Sequence, residues 1–122
     1  MNIVINNKLI QSINISSCET AWPIADAVYV LAYYEKRGHV ILGGDILNSD
    51  LVYNYDSWYY TPVDSRSHNE NVASSIATAK KYISDYVDKN GVNYCVVIVI
   101  DWYFKQHAGI GGRYNEKLTF YN

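Results

Sequence analysis

Two aspartates in this chain have the residue type and the surroundings that acid–base or metal chemistry needs. Asp45 and Asp56 lie in two neighbouring stretches that are rich in β-branched and aromatic residues. Two carboxylates that share a buried face acquire different pKa values, which suits acid–base catalysis, and together they can bind a metal ion. A two-residue turn would place them on one face of a hairpin, whereas a three-residue turn would place them on opposite faces. One hypothesis is therefore a small metal-assisted hydrolase, and the alternative is a pair of surface or loop-anchoring carboxylates.

Three other patterns resemble reactive sites only in part. Cys95, Asp101 and His107 have the residue types of a nucleophile, an orienting acid and a base, but Cys95 opens the most apolar stretch, where a thiol is normally inert. The glycine-rich segment 109–113 lacks the Lys-Ser/Thr of a phosphate-binding loop. The three histidines lack the spacing that brings two ring nitrogens to one metal ion. These patterns predict no catalytic residue, no metal and no cofactor.

A pair of glycines, Gly43 and Gly44, lies inside a predicted strand directly before Asp45. Glycine weakens a strand unless a bulge or the close approach of another group requires it. We expect a bulge beneath a neighbouring aromatic ring, with Trp58 and Trp22 as the candidates.

Tyrosine dominates the aromatic composition, with thirteen Tyr and three Trp against two Phe. Tyr and Trp are enriched where a surface recognises another molecule. The stretch 53–60 holds four Tyr and one Trp, so whichever face of a strand there is buried, the other presents amphipathic rings. The alternatives are a partly buried aromatic sheet and a recognition surface. The partner-binding candidates are Asp45, Tyr53, Tyr55, Asp56, Trp58, Tyr59, Tyr60 and Asp64.

Hydrophobic periodicity predicts two main helices. After Pro23, which suits a first helical turn, apolar residues recur at helical spacing up to Gly38, with Thr20 as a capping residue upstream. The second helix has the clearest periodicity and follows a polar loop over 61–69. The predicted helices are 23–37, 72–90 and a short one at 8–13.

Runs of β-branched and aromatic residues predict the strands. The polar cluster 48–50 is typical of a turn and makes the first two strands a hairpin. The run 96–100 is short and β-branched, as in a central strand buried on both faces. The elements predict an α+β fold with a small, largely antiparallel sheet of three to four strands and two main helices packed on it. The predicted strands are 39–47, 51–60, 93–103 and an edge strand at 117–121, with a flexible connection over 105–115.

The composition limits the class of protein. A chain of 122 residues with 49% hydrophobic residues forms a single domain over 1–122. A net charge of −2, with Lys80 and Lys81 as the longest basic run, argues against direct nucleic-acid binding. No apolar run approaches the roughly 20 residues of a membrane helix, so we expect no membrane contact and a cytoplasmic location. Cys18 and Cys95 predict buried thiols and no disulfide scaffold, and the oligomeric state stays open.

Three motifs follow one another along the chain: Ala21-Trp22-Pro23, Ile41-Leu42-Gly43-Gly44-Asp45-Ile46 and Tyr55-Asp56-Ser57-Trp58-Tyr59-Tyr60. With them the chain resembles the immunity protein 40 family of bacterial polymorphic toxin systems over most of residues 8–100. Ser57 departs from the Asn that this family usually has, and a Trp that members often carry before the second helix has no counterpart here. The matching positions are Trp22, Pro23, Gly43, Gly44, Asp45, Asp56, Trp58 and Tyr59.

The resemblance implies an immunity protein against a polymorphic or contact-dependent inhibition toxin. Such a protein protects the producing cell by binding the cognate toxin domain, without catalysis. If that toxin is a nuclease with a basic substrate groove, acidic side chains near the aromatic strand would substitute for phosphates. The candidates for this role are Asp45, Asp50, Asp56, Asp64 and Glu70.

Overall fold

A computed structural model describes residues 1–16 and 19–101 of the protein. In these residues a strand pair and two short strands precede a helix, a hairpin, a long helix and a last strand. A 3₁₀ turn, Ile24–Asp26, leads into the first helix. The strands are β1 Asn2–Ile5, β2 Lys8–Gln11, β3 Ile13–Asn14, β4 Thr20–Pro23, β5 Ile41–Asn48, β6 Tyr53–Tyr59 and β7 Tyr94–Ile100, and the helices are α1 Ala27–Lys36 and α2 His68–Asn90.

The main sheet of the described residues has five antiparallel strands in the spatial order β3-β4-β7-β5-β6. Strand β7 is central because β4 and β5 pair along its two sides, as its β-branched run predicts. Strands β1 and β2 form a separate two-stranded sheet. The predicted α+β class is confirmed, but the sheet is larger than the predicted three to four strands.

The central hairpin and the long helix agree with the sequence prediction. Strands β5 and β6 pair as a hairpin on either side of the predicted turn. Helix α2 begins at His68, before the first periodic apolar residue, because a capping box forms there. The Ser67 hydroxyl accepts a hydrogen bond from the Glu70 N–H at 3.1 Å, and the Glu70 carboxylate accepts one from the Ser67 N–H at 2.8 Å.

The prediction of a short helix over residues 8–13 is wrong. Asn6 and Asn7 have φ angles of 50° and 63°, which form a tight turn that joins β1 to β2. Ile3 and Ile10 face each other across this hairpin, and both are buried in the main core. The turn at Asn6-Asn7 and the burial of Ile3 against Ile10 therefore decide the structure of this segment.

The start of the first helix also differs from the prediction. Thr20 is the first residue of β4 and not a helix cap, and Pro23 ends that strand. Trp22 pairs with Val96 of β7, and its side chain is 1% exposed. The segment is a strand because it completes the sheet on the free side of β7, a non-local contact that outweighs the helical periodicity downstream.

The sheet has a helix side and an opposite face. The main core lies between the sheet and the helices, and its sheet residues include Trp22, Ile46, Trp58, Val96 and Ile98. Successive strand residues point to opposite faces. A smaller apolar cluster therefore forms on the opposite face from Ala21, Leu47, Cys95 and Val97.

Three of the sequence predictions fall outside the described residues. These are the connection over 105–115, the edge strand at 117–121 and the burial of Cys18. Among the described residues, neither helix has the length and apolarity that crossing a bilayer requires.

Candidate functional site

The glycine pair of β5 lies directly beneath an aromatic ring of β6. Gly44 pairs with Trp58, and a Cβ atom at Gly44 would collide with the far edge of the Trp58 indole. The same atom would lie 2.5 Å from the carbonyl oxygen of Val97. Gly43 has a φ of 150°, and a Cβ there would collide with the Trp58 carbonyl oxygen. The expected packing under an aromatic ring is confirmed, with Trp58 as the ring.

Trp58 connects the hairpin to helix α2 through stacked rings. Its indole stacks on Tyr82 with the ring centroids 5.0 Å apart, and Tyr82 stacks on Tyr86 at 6.1 Å. Trp58 is 7% exposed, and its Nε1 is buried without a hydrogen-bond partner among the described residues. The Trp58 ring thus contributes to packing in the core and offers little surface to a partner.

Asp56 points to the helix side, where helix α2 orients its carboxylate. The Tyr86 hydroxyl donates a hydrogen bond to Asp56 Oδ2 at 2.8 Å, and it accepts one from Asn54 Nδ2 at 2.8 Å. Asn54 Oδ1 in turn accepts a hydrogen bond from the Asp56 N–H at 3.1 Å. Burial and the hydrogen bond to Asp56 raise the pKa of Tyr86 to about 12, so the hydroxyl stays protonated and donates.

Asp45 faces the other way. It pairs with Ser57 on one side and Val97 on the other, which puts its side chain on the opposite face of the sheet. Burial raises the pKa of Asp45, and the negative charge of Glu19 adds to the effect. Asp45 and Asp56 therefore do not form the carboxylate pair that the hydrolase hypothesis needs. Among residues 1–16 and 19–101, no three His, Cys, Asp or Glu side chains lie where they could hold a metal ion.

Two tyrosines of β6 are almost fully exposed. Tyr55 is 94% and Tyr59 is 81% exposed, and Tyr55 has a φ of 68°, in the left-handed region. Their neighbours are half-buried, with hydroxyls that are already bonded inside the protein. Tyr53 donates to Glu19 Oε2 at 2.7 Å, and Tyr60 donates to Asn71 Oδ1 at 2.6 Å. The sequence could not separate these two pairs, because all four are tyrosines within one stretch.

A groove of about 530 Å³ lies between β6 and the second half of α2. Its walls are the two stacked tyrosines of α2, and Asp56 borders it from the strand. Asp85 is bonded to Lys81 at 2.8 Å, whereas Asp56 Oδ1 has no hydrogen-bond partner in the described part of the chain. The lining residues are Asp56, Tyr82, Asp85, Tyr86, Lys89 and Asn90.

The comparisons with known proteins bear on this hairpin and helix. The sequence model of a family described as Immunity protein 40 matches residues 9–100, which include β3 to β7 and both helices. The chain belongs to the immunity protein 40 family. No curated protein and no solved structure matches it.

The remaining motif positions of this immunity protein 40 chain serve its framework. Trp22 is buried beneath the helices, and Pro23 is half-buried where β4 pairs with Cys95. Two further residues named by the sequence analysis lie outside the motifs. Burial raises the pKa of the Cys95 thiol, which suits an inert core cysteine. Asp64 is exposed in the loop that precedes α2.

Sequence reasoning missed two features of this immunity protein 40 fold. His39 Nδ1 lies 3.4 Å from Asp101 Oδ1 in a buried pair, and the same oxygen accepts the Val40 N–H at 2.9 Å. No local pattern joins residues so far apart in sequence. The aromatic wall on α2 was detectable, because Tyr82 and Tyr86 have the spacing of neighbours on one helix face.

Proposed function

We propose that this chain is an immunity protein that neutralises a cognate toxin domain by binding it, without catalysis, through the surface around β6. Family membership supports the immunity role. The observation that supports the choice of surface is the exposure of Tyr55 and Tyr59 on a strand that the buried Trp58 anchors in the core. Large amphipathic rings on a rigid backbone bind a partner at low entropic cost.

The recognition surface consists of Tyr55, Asp56 and Tyr59 at its centre. Tyr53 and Tyr60 flank it and offer ring edges, because their hydroxyls are bonded internally. Asp64 extends it into the exposed loop before α2. Trp58 supports this surface from the helix side of β6, and it makes no contact with the toxin because its ring is buried.

The proposed toxin is a nuclease whose basic substrate groove faces these carboxylates. Asp56 is the best placed, because Tyr86 fixes its orientation before any partner arrives. Asp50 and Asp64 are exposed and can add to the same field, whereas Glu70 is engaged at the start of α2. Asp45 lies beside Ser57, away from the helices and from Asp56, so it belongs to the face that also carries Tyr59.

Affinity measurements with the protein encoded immediately upstream, taken as the candidate toxin, test the proposal. Tyr55→Ala and Tyr59→Ala are each expected to weaken binding by roughly 30-fold or more, the size of a hot-spot contact. Tyr33→Ala, at a half-buried tyrosine on α1, is the control away from β6, and the folded variant should keep affinity within about threefold. Co-expression of toxin and wild-type chain should restore growth, and the two β6 variants should restore it less.

Several results would contradict this proposal. Absence of binding and of protection by the wild-type chain would remove the immunity role against that toxin. Normal affinity in both folded β6 variants would move the interface elsewhere, to the loop 63–71 or to residues 105–115. Affinity that hardly changes with salt would leave the tyrosines in place but remove phosphate mimicry by the carboxylates.

A further inference from the structure

Strand β6 is the edge of the main sheet in the described residues, and its free side presents backbone groups in a regular pattern. The Tyr60 N–H donates to the Leu42 carbonyl at 3.0 Å, which marks a hydrogen-bonded pair with β5. Such pairs alternate along an antiparallel ladder, so Trp58 also points its backbone groups at β5. Tyr59, between these two residues, and Ser57, on the other side of Trp58, therefore point their N–H and C=O groups away from the sheet.

The outward N–H groups of β6 are unpaired among the described residues. Within residues 1–16 and 19–101, neither the Ser57 N–H nor the Tyr59 N–H has a hydrogen-bond partner. Edges are usually protected by lysine, proline or a bulge. Strand β6 contains neither lysine nor proline, and Pro62 lies beyond its end. The irregular backbone at Tyr55 limits the usable edge to the stretch that follows it.

We infer that the toxin adds an extended segment to this edge, so that Ser57 and Tyr59 pair with its backbone. The inference rests on the proposed function and specifies how the same surface is used. A strand added there would lie about 4.8 Å from β6. It would place its side chains alternately beside the exposed Tyr59 ring and beside the groove of α2.

The groove specifies the side chain that enters it. Asp56 offers a free carboxylate oxygen, and the rings of Tyr82 and Tyr86 line the wall behind it. Asp85 is already paired with Lys81, so Asp56 is the carboxylate that an incoming group meets. The Lys89 side chain also lines the groove. A carboxylate with a free oxygen complements an arginine or lysine. The segment therefore carries a basic residue on its groove side and an apolar or aromatic residue beside Tyr59.

Proline at position 57 tests the backbone pairing. Ser57→Pro removes an N–H that points away from β5, so the hairpin ladder is retained while the incoming strand loses a donor and meets the ring. It is expected to weaken toxin binding by roughly tenfold or more. Ser57→Ala, the matched control, removes the hydroxyl alone and should change affinity by less than about threefold. Equal affinities of the two folded variants would overturn the inference.

Hydrogen exchange of the wild-type complex gives an answer even if Ser57→Pro does not fold. The amides of Ser57 and Tyr59 should exchange quickly in the free protein and become protected on toxin binding, while the Trp58 amide is protected in both states. Binding without this protection means that the toxin contacts side chains only, which overturns strand addition but leaves the proposed function standing. Failure of the wild-type chain to bind overturns the proposed function itself.

The role of the groove is tested by removing the charge of Asp56. Asp56→Asn should weaken toxin binding by roughly tenfold and reduce its salt dependence, because it removes the charge that faces the basic residue. Unchanged affinity would remove the basic residue from the inference.

Protection of the Ser57 and Tyr59 amides in a dimer of the free protein would assign the edge to a second copy and overturn its assignment to the toxin.

Discussion

Neighbouring residues on the two sides of strand β6 have opposite environments. Trp58 is 7% exposed beneath α2, whereas Tyr59, next to it in sequence, is 81% exposed. The helix side of the strand is held by ring stacking and by the Asn54–Tyr86–Asp56 hydrogen bonds. Strand alternation therefore divides one aromatic stretch into a part that holds the fold and a part that is exposed to solvent.

Removal of the buried ring should have the largest effect. Trp58→Ala is expected to lower the free energy of unfolding by about 3 to 5 kcal/mol, because it leaves a cavity between β6 and α2. Denaturant unfolding measures this loss, with Tyr59→Ala as the control from the other side of the strand. A loss close to that of the control would show that the Trp58 ring is not a core element.

The glycine beneath the ring gives the next largest effect. Gly44→Ala should destabilise the protein by about 1 to 3 kcal/mol, because the added methyl group forces the indole or the backbone to move. In a Trp58→Ala background the same change should cost less, with a remainder from the Val97 carbonyl oxygen. Additive losses in this double-mutant cycle would contradict the contact between Gly44 and the indole.

The hydrogen bonds between β6 and α2 should be worth less than the packing. Tyr86→Phe keeps the stacked ring but removes the hydroxyl that bridges Asn54 and Asp56. We expect a loss of about 0.5 to 1.5 kcal/mol in the free energy of unfolding. A loss as large as that of Trp58→Ala would mean that polar contacts, and not ring packing, hold the helix side of the strand.

The stability of the protein at alkaline pH should depend on the buried tyrosine hydroxyls. The pKa of Tyr86 is about 12 in the folded protein against an ordinary 10.0, and burial raises that of Tyr34 to about 12 as well. Because the folded-state values are the higher ones, their contribution to stability is complete below pH 10 and is lost as the pH rises towards 12. Tyr86→Phe and Tyr34→Phe should each make unfolding stability fall less steeply across this range. A fall as steep as that of the wild-type chain would contradict both shifts.

The exposed side of the strand should hardly matter for folding. Tyr55→Ala and Tyr59→Ala are expected to change the free energy of unfolding by less than about 0.5 kcal/mol, because their rings have few neighbours to lose. The same denaturant titrations measure this. A destabilisation near that of Trp58→Ala would place these rings in the core and remove the distinction between the two sides.

Local patterns predicted the elements whose signals lie within one stretch of chain. Helix α2, the β5–β6 hairpin and the packing of an aromatic ring on the glycines all follow from periodicity, turn residues and the cost of glycine in a strand. Strands β1 to β4 were missed because each has only two to four residues. Strand β4 in particular owes its structure to β7, which lies at the far end of the described chain.

The candidate site was predictable in composition but not in orientation. The sequence left the relation of Asp45 to Asp56 open, because it depends on turn length and on any irregularity between them. A register shift between Asp45 and Leu47 changes the number of residues that separate the two aspartates along the hairpin, and so which faces they share. Trp22 and Trp58, the two candidate rings for the glycine pair, are both buried, since they lie on different strands that face the same helices.

The left-handed backbone at Tyr55 limits which residues are favoured at position 55. A tyrosine with a φ of 68° is held in a conformation that costs an L-residue roughly 1 to 2 kcal/mol, and that glycine adopts freely. A library randomised at this position and selected for thermal resistance alone should therefore converge on glycine or asparagine. The same library selected for survival against the toxin should keep an aromatic residue, so position 55 would record which of the two pressures a lineage has experienced.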